Sequence, residues 1–324
     1  MPTDVEHLDY ANLGPGRHRL RFLVPDTSMP DGSRLAVPVT VLVGRRARPR
    51  VAAIAGVHGN EYPGPLALLD LAQALDPAAL DGTLVLVPIA NPLAFNAGTR
   101  SSPEDGVNLN RVFPGDPAGT LTLRLAHAVV DGIVADADLA IDLHSATETG
   151  EMVPMAGFRE HTGDVAVRSA RAAAAFGLET YWMMRWAPGT LSTALNQRGI
   201  PAVGCELGGM GTATAEQIHL YRDGVLRCLD RPFDAPLPGE VEVMEEATSP
   251  ASGLIDPAVG LRDAVRAGQL LGRVLDPWGE RVAAVESPCD GRVAHLRLFR
   301  QINAGEALAW IARRTPNPLL QARG

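Results

Sequence analysis

Val51-Ala52-Ala53-Ile54-Ala55-Gly56-Val57-His58-Gly59-Asn60-Glu61-Tyr62-Pro63-Gly64 is the stretch on which the reading of the fold turns. It opens as a compact apolar run ending at a glycine, the pattern of a buried strand. It closes on Gly64, where a helix-like pattern takes over and continues to Leu75. Between strand and helix stand His58 and Glu61, three residues apart. Side chains at i and i+3 share a face on a helical turn or tight loop, so this imidazole and carboxylate can converge on one ion. The glycines around them keep the backbone compact. In open α/β sheets, chemistry sits just past such strand ends.

Working outward, short strand-like runs occupy 17–25, 35–43, 84–89, 139–143 and 202–206. Helical patterns cover 121–135, 164–176, 190–198 and 213–230. This alternation predicts an α/β domain, a sheet flanked by helices. Near residue 232 the texture changes to Pro232-Phe233-Asp234-Ala235-Pro236-Leu237-Pro238-Gly239, and helical periodicity stops. A boundary there gives a catalytic domain over 1–235 and a smaller β-rich domain, a barrel or sandwich, over 236–324. Within the tail, Val285-Glu286-Ser287-Pro288-Cys289-Asp290-Gly291-Arg292-Val293 resembles the lipoyl/biotinyl hammerhead.

All 29 basic residues are arginine, so no lysine is available for a Schiff base, a phosphate-loop contact or a swinging arm. The tail is therefore expected to act structurally, in lining the site or in pairing copies of the chain; a homo-oligomer stays open. With 46% hydrophobic and 20% charged residues the composition is that of a globular protein. No apolar run is long enough to span a membrane, and the acidic amino-terminal stretch is unlike a signal peptide. A cytoplasmic location is expected. A net charge of −8 disfavours nucleic acid as a partner. Three scattered cysteines, Cys205, Cys228 and Cys289, form no CxxC pair and read as reduced thiols.

A third candidate ligand lies in Leu139-Ala140-Ile141-Asp142-Leu143-His144-Ser145. Strand alternation puts Asp142 and His144 on one side, so Asp142 can accept from a ligand imidazole, either that of His144 or that of His58. Two imidazoles and one carboxylate with an open fourth position is the pattern of a catalytic zinc site.

With these residues go Asn91-Pro92-Leu93-Ala94, Arg100, Asn110-Arg111-Val112-Phe113-Pro114-Gly115 and Cys205-Glu206-Leu207-Gly208-Gly209. Taken in order across residues 51–211, the set resembles the succinylglutamate desuccinylase/aspartoacylase family, relatives of the zinc carboxypeptidases, whose architecture also includes a β-rich tail. The resemblance implies a zinc-carboxypeptidase-like mixed sheet and hydrolysis of a small N-acyl amino acid of the N-acetyl or N-succinyl type. It implies zinc on His58, Glu61 and His144, Glu206 as general base, Arg100 polarising the scissile carbonyl, and Asn110 and Arg111 holding the substrate carboxylate. Where many relatives read Asp-x-Asn-Arg this chain has Asn108-Leu109-Asn110-Arg111, and the loop from Arg100 to Asn110 is longer than in aspartoacylase. Both departures bear on the substrate and neither touches a ligand. The competing readings are a metallocarboxypeptidase acting on short peptides and a non-catalytic zinc-binding relative.

The cluster Tyr181-Trp182-Met183-Met184-Arg185-Trp186 reads first as core, with Arg185 a candidate second contact to a substrate carboxylate. Glu148 and Glu151 follow the His144 strand and can meet a substrate amino group or simply be solvated. Gly208 and Gly209 would permit a ligand to approach Glu206 closely. Cys205 should face away from the site, and the other six histidines have no ligand-like spacing.

Overall fold

The computed structural model describes residues 1–321. Its strands are β1 (Thr3–Val5), β2 (Gly16–Leu23), β3 (Ala36–Val43), β4 (Arg50–Ala55), β5 (Thr83–Val87), β6 (Leu139–His144), β7 (Gly150–Arg159), β8 (Thr180–Met184), β9 (Ala202–Gly209) and β10 (Glu240–Thr248). The tail continues with β11 (Gly253–Pro257), β12 (Ala264–Val265), β13 (Leu270–Leu275), β14 (Arg281–Glu286), β15 (Gly291–Arg297), β16 (Gln301–Ile302) and β17 (Ala307–Pro316). The helices used below are α1 (Pro63–Ala74), α2 (Pro92–Ala97), α3 (Leu121–His127), α4 (Gly163–Phe176), α5 (Leu191–Gln197) and α6 (Ala215–Asp230).

Thirteen strands form one mixed sheet in the order β1-β2-β3-β5-β4-β6-β9-β7-β8-β10-β17-β15-β12. At its centre β5, β4, β6 and β9 run parallel. Parallel strands covered on both faces are apolar throughout rather than alternating, and β4 is buried at every residue. Its side chains divide between two cores: Ala52 and Ile54 join Val85, Leu125 and Leu195 on one face, while Val51, Ala53 and Ala55 join Leu68, Phe176 and Tyr221 on the other. The first core lies under α3 and α5, the second under α1, α4 and α6. Among the described residues, no helix is long and apolar enough to cross a membrane.

Two elements depart from the sequence expectation. The helix expected over 121–135 narrows to α3 and is followed by a wider π-helical turn at Ala128–Ile133. Strand β7 was absent from the expected set because Gly150-Glu151-Met152-Val153-Pro154-Met155-Ala156-Gly157-Phe158-Arg159 has no period-two pattern and carries proline. The register against β9 shifts between Met152 and Met155, and such irregularities are where a strand tolerates proline.

The tail is a smaller all-β domain with its own core, including Ile255, Leu271, Val274, Val293, Leu308 and Ile311. It is not a detached barrel. β10, β17, β15 and β12 extend the main sheet, β15 also pairs with β7, and β14-β13-β11-β16 form a second sheet of four strands. Beyond β15, the Leu298 and Phe299 amides both donate to the Thr149 carbonyl, at 2.8 and 3.0 Å, so the tail fastens the loop that follows β6.

His295 lies on this seam. Its ring is 5.4 Å from that of Trp310, its Nδ1 is buried without a partner, and burial, assisted by Arg297, pushes its pKa down to about 4. A folded value below the unfolded one, about 6.5, gives stability that is present above that pH and lost as pH falls toward 4. Between pH 7 and pH 4 the wild type is expected to lose on the order of 2–3 kcal/mol more stability than His295→Leu, by denaturant titration. Parallel losses in both proteins would remove His295 as the cause.

Candidate active site

Because β4, β6 and β9 are adjacent and parallel, their C-terminal ends deliver side chains to one edge. His58 and Glu61 lie on the turn after β4, His144 ends β6, and Glu206 in β9 is register-paired with His144. The turn is pressed hard against its neighbour. A Cβ on Gly59 would lie 2.0 Å from the Ala94 carbonyl oxygen, so only glycine lets the His58 turn pack on α2. The Tyr221 hydroxyl, reaching over from α6, donates to the His144 carbonyl and holds the end of β6.

Glu61 stands between the two imidazoles. Its Oε1 is 2.8 Å from His58 Nδ1 and its Oε2 is 2.9 Å from His144 Nδ1, with a further bond from the Ser145 amide at 3.1 Å. All three side chains are buried, and their ligand atoms lie within 4.8 Å of one another. Each outer ring nitrogen has an oxygen behind it. His58 Nε2 is 3.2 Å from Asn108 Oδ1, and His144 Nε2 is 3.0 Å from Asp142 Oδ1, a charge contact without an aligned hydrogen bond. Asp142 thus serves its strand neighbour, while an amide, at the first position of Asn108-Leu109-Asn110-Arg111, serves His58. These oxygens favour the proton on Nε2 and leave a bare Nδ1 on each ring turned toward Glu61, as metal ligation requires. Asn110 Nδ2 competes for His144 Nε2 at 3.3 Å.

The charges of the cluster reinforce one another. Burial disfavours ionised Glu61, but His58 and His144 outweigh it and hold the carboxyl well below its usual range. Burial likewise opposes a charged His144, yet Asp142 and Glu61 raise its pKa well above the ordinary value. Glu206 is different. Its Oε2 is buried with no hydrogen-bond partner, and burial, with Glu61 and Asp142 adding to it against His144 and Arg100, pushes its pKa up to about 8. Cys205, next in line, points into the opposite core, where burial pushes its thiol well above the ordinary value.

Gly208 and Gly209 are explained by backbone rather than by a ligand. Gly209 has φ 150°, and a Cβ there would lie 2.1 Å from the Gly150 carbonyl oxygen of β7.

Of the three arginines expected near the site, Arg100 joins the cluster through an Nη1 contact of 3.2 Å to Glu61 Oε1. Arg111 lies beside Arg100 at the exposed mouth, where partial burial and that neighbouring charge lower its pKa, and its Nη1 donates to the Asn110 carbonyl at 2.7 Å. Asn110 is buried, and its Oδ1 accepts from the Leu191 amide at 2.9 Å, tying the start of α5 to this loop. Arg185 is not brought to the cluster. Strand alternation lays Met184 over Gly204, so Arg185 turns outward, 79% exposed and paired with Glu245 at 3.0 Å. Arg159 at the end of β7, which the sequence reading passed over, comes close enough to feel Asp142, Arg111 and Glu206. Glu148 is exposed at the rim and accepts from Asn60 Nδ2 at 2.7 Å.

A profile of the succinylglutamate desuccinylase/aspartoacylase catalytic domain matches residues 47–231. The chain belongs to that family. A curated relative, the N-alpha-acetyl-L-2,4-diaminobutyric acid deacetylase of Halomonas elongata, is 36% identical over 296 residues, 85% of each chain. The product-bound ectoine utilization protein EutE (DoeB) of Ruegeria pomeroyi superposes with a TM-score of 0.84 at 29% identity, covering 93% of this chain and 96% of that one. The succinylglutamate desuccinylase/aspartoacylase of Rhodobacter sphaeroides gives 0.85 at 26% identity, over 96% and 98%. The family's matched region contains every side chain of the cluster, and the β-rich tail lies beyond it.

Proposed function

We propose that the chain is a zinc-dependent deacylase that hydrolyses the amide of a small N-acetylated amino acid, N-acetyl-2,4-diaminobutyrate first among them. The convergence of His58, Glu61 and His144 beside the unpartnered Glu206 carries this reading, and the 36% identity to a diaminobutyrate deacetylase supplies the substrate. The three donors would hold zinc, which when bound supplies Lewis acidity and a water of lowered pKa. Glu206 takes the proton of the attacking water and passes it to the leaving nitrogen. Arg100 donates to the scissile carbonyl oxygen as charge builds there. Asn110 and Arg111 hold the substrate carboxylate, Arg111 from the mouth, and Glu148 offers a carboxylate where a cationic side chain would emerge.

Amine release by the zinc-loaded protein, compared over N-acetyl-diaminobutyrate, N-acetylaspartate, N-succinylglutamate and a dipeptide, tests this. The first is expected to turn over fastest. Preference for the dipeptide would make the protein a carboxypeptidase, and stoichiometric zinc with no turnover would make it a binding protein.

Arg111→Lys is expected to raise KM about tenfold with kcat little changed, because an ammonium cannot reproduce bidentate recognition of a carboxylate. Unaltered kinetics would take Arg111 out of substrate binding.

A further inference from the structure

Strand register brings one more charge into the site. Along β9, Glu206 lies opposite His144 of β6 and Met155 of β7, and Gly204 lies opposite Asp142 and Gly157. Side chains alternate along a strand, so Met155, Gly157 and Arg159 project from the sheet face that bears Asp142, His144 and Glu206. The register shift in β7 precedes Met155 and leaves this alternation intact. Gly157 and Gly204 project nothing between Arg159 and Asp142, and only the Met184 thioether is laid over Gly204.

The Arg159 guanidinium is partly buried and its charge is uncompensated. Nε donates to Ser192 Oγ at 2.9 Å and Nη1 to the Arg185 carbonyl at 2.8 Å, both neutral acceptors. Among the described residues no carboxylate lies within the 4.0 Å of an ion pair. Burial lowers its pKa to about 10, against Asp142 and Glu206, which favour its charged form. A desolvated cation without a counter-ion is costly unless a ligand completes it. Arg100 is already engaged with Glu61 and Arg111 with the Asn110 carbonyl, so Arg159 holds the least committed charge on this face.

We propose that Arg159 seats a carboxylate of the substrate. The planar guanidinium fork suits a carboxylate, and Ser192 and the Arg185 carbonyl fix its orientation. That carboxylate is either the α-carboxylate of the N-acyl amino acid or the side chain of an acidic one. The assignment rests on the deacylase reading for its substrate, although binding alone can test it.

Arg159→Gln is to be compared with wild type on two pairs: N-acetyl-diaminobutyrate with its α-carboxamide, and N-acetylaspartate with N-acetylasparagine. Removing one partner of a desolvated charge pair is expected to raise KM on the order of 10²–10³-fold, with kcat little changed. The loss should vanish for the compound lacking the anchored carboxylate. Loss confined to the first pair identifies the α-carboxylate, and loss confined to the second identifies the side chain. Equal loss on acids and amides would show a structural residue and overturn the proposal.

Calorimetric titration of the same compounds reads the anchor without turnover. Arg159-dependent binding with no hydrolysis by wild type would defeat the deacylase reading alone. Hydrolysis with KM unchanged in Arg159→Gln would defeat the anchor alone, and no binding of any acid to wild type would defeat both. Should Arg159→Gln fail to fold, Arg159→Lys retains the charge, and its KM should still rise, about tenfold, for the acid and not for the amide.

Discussion

His58→Ala is expected to lose most of its zinc and, with it, turnover. The His58 ring contributes one of only three converging donors, and its Nδ1 meets Glu61 at 2.8 Å inside a buried cluster that offers no fourth protein ligand among the described residues. Contacts behind a ligand are typically worth about 10–100-fold in metal affinity. A direct donor should exceed that, so affinity is expected to fall on the order of 10³-fold, read by competition with a chromogenic chelator and by elemental analysis. Ser145 and His144 still hold Glu61, so the variant should fold. Full zinc occupancy in His58→Ala would overturn the ligand set. The same measurement on Asn108→Ala separates donor from support: losing the amide behind His58 should cost about 10–100-fold and leave detectable metal.

The legible and illegible parts of this site differ for a physical reason. His58, Glu61, Asp142, His144 and Glu206 sit at or just beyond the ends of buried parallel strands, which announce themselves as short apolar runs. The chemistry could therefore be read from where polar residues interrupt those runs. The role of Asp142 was left open between two histidines because alternation fixes a face but not a distance, and the 3.0 Å contact to His144 decides it. Arg159 escaped because β7 has no period to read, and a residue on an unrecognised strand cannot be given a face. Arg185 drew attention through its aromatic neighbours, yet one step of alternation beyond Met184 turns it to solvent. The continuation of the main sheet into the tail depends on pairings such as His295 with Met152, distant in sequence, and no local pattern encodes them.

Glu206→Gln is expected to keep its zinc and lose nearly all of its rate. The ligand set is filled by His58, Glu61 and His144, whereas Glu206 Oε2 is buried without a hydrogen-bond partner, placed to exchange a proton rather than hold an ion. Burial lifts its pKa to about 8 in the metal-free chain, and a bound cation would lower it, so the group titrates near working pH, where a base that must also return its proton is most effective. Loss of a positioned general base typically costs on the order of 10²–10⁴-fold, and a residue that also protonates the leaving nitrogen belongs in the upper part of that range. KM should change little, and the acid limb of the kcat/KM profile should disappear with the carboxyl. Loss of zinc from the variant would make Glu206 a ligand and Glu61 the candidate base. Retention of both zinc and near-normal turnover would place the proton shuttle on another residue.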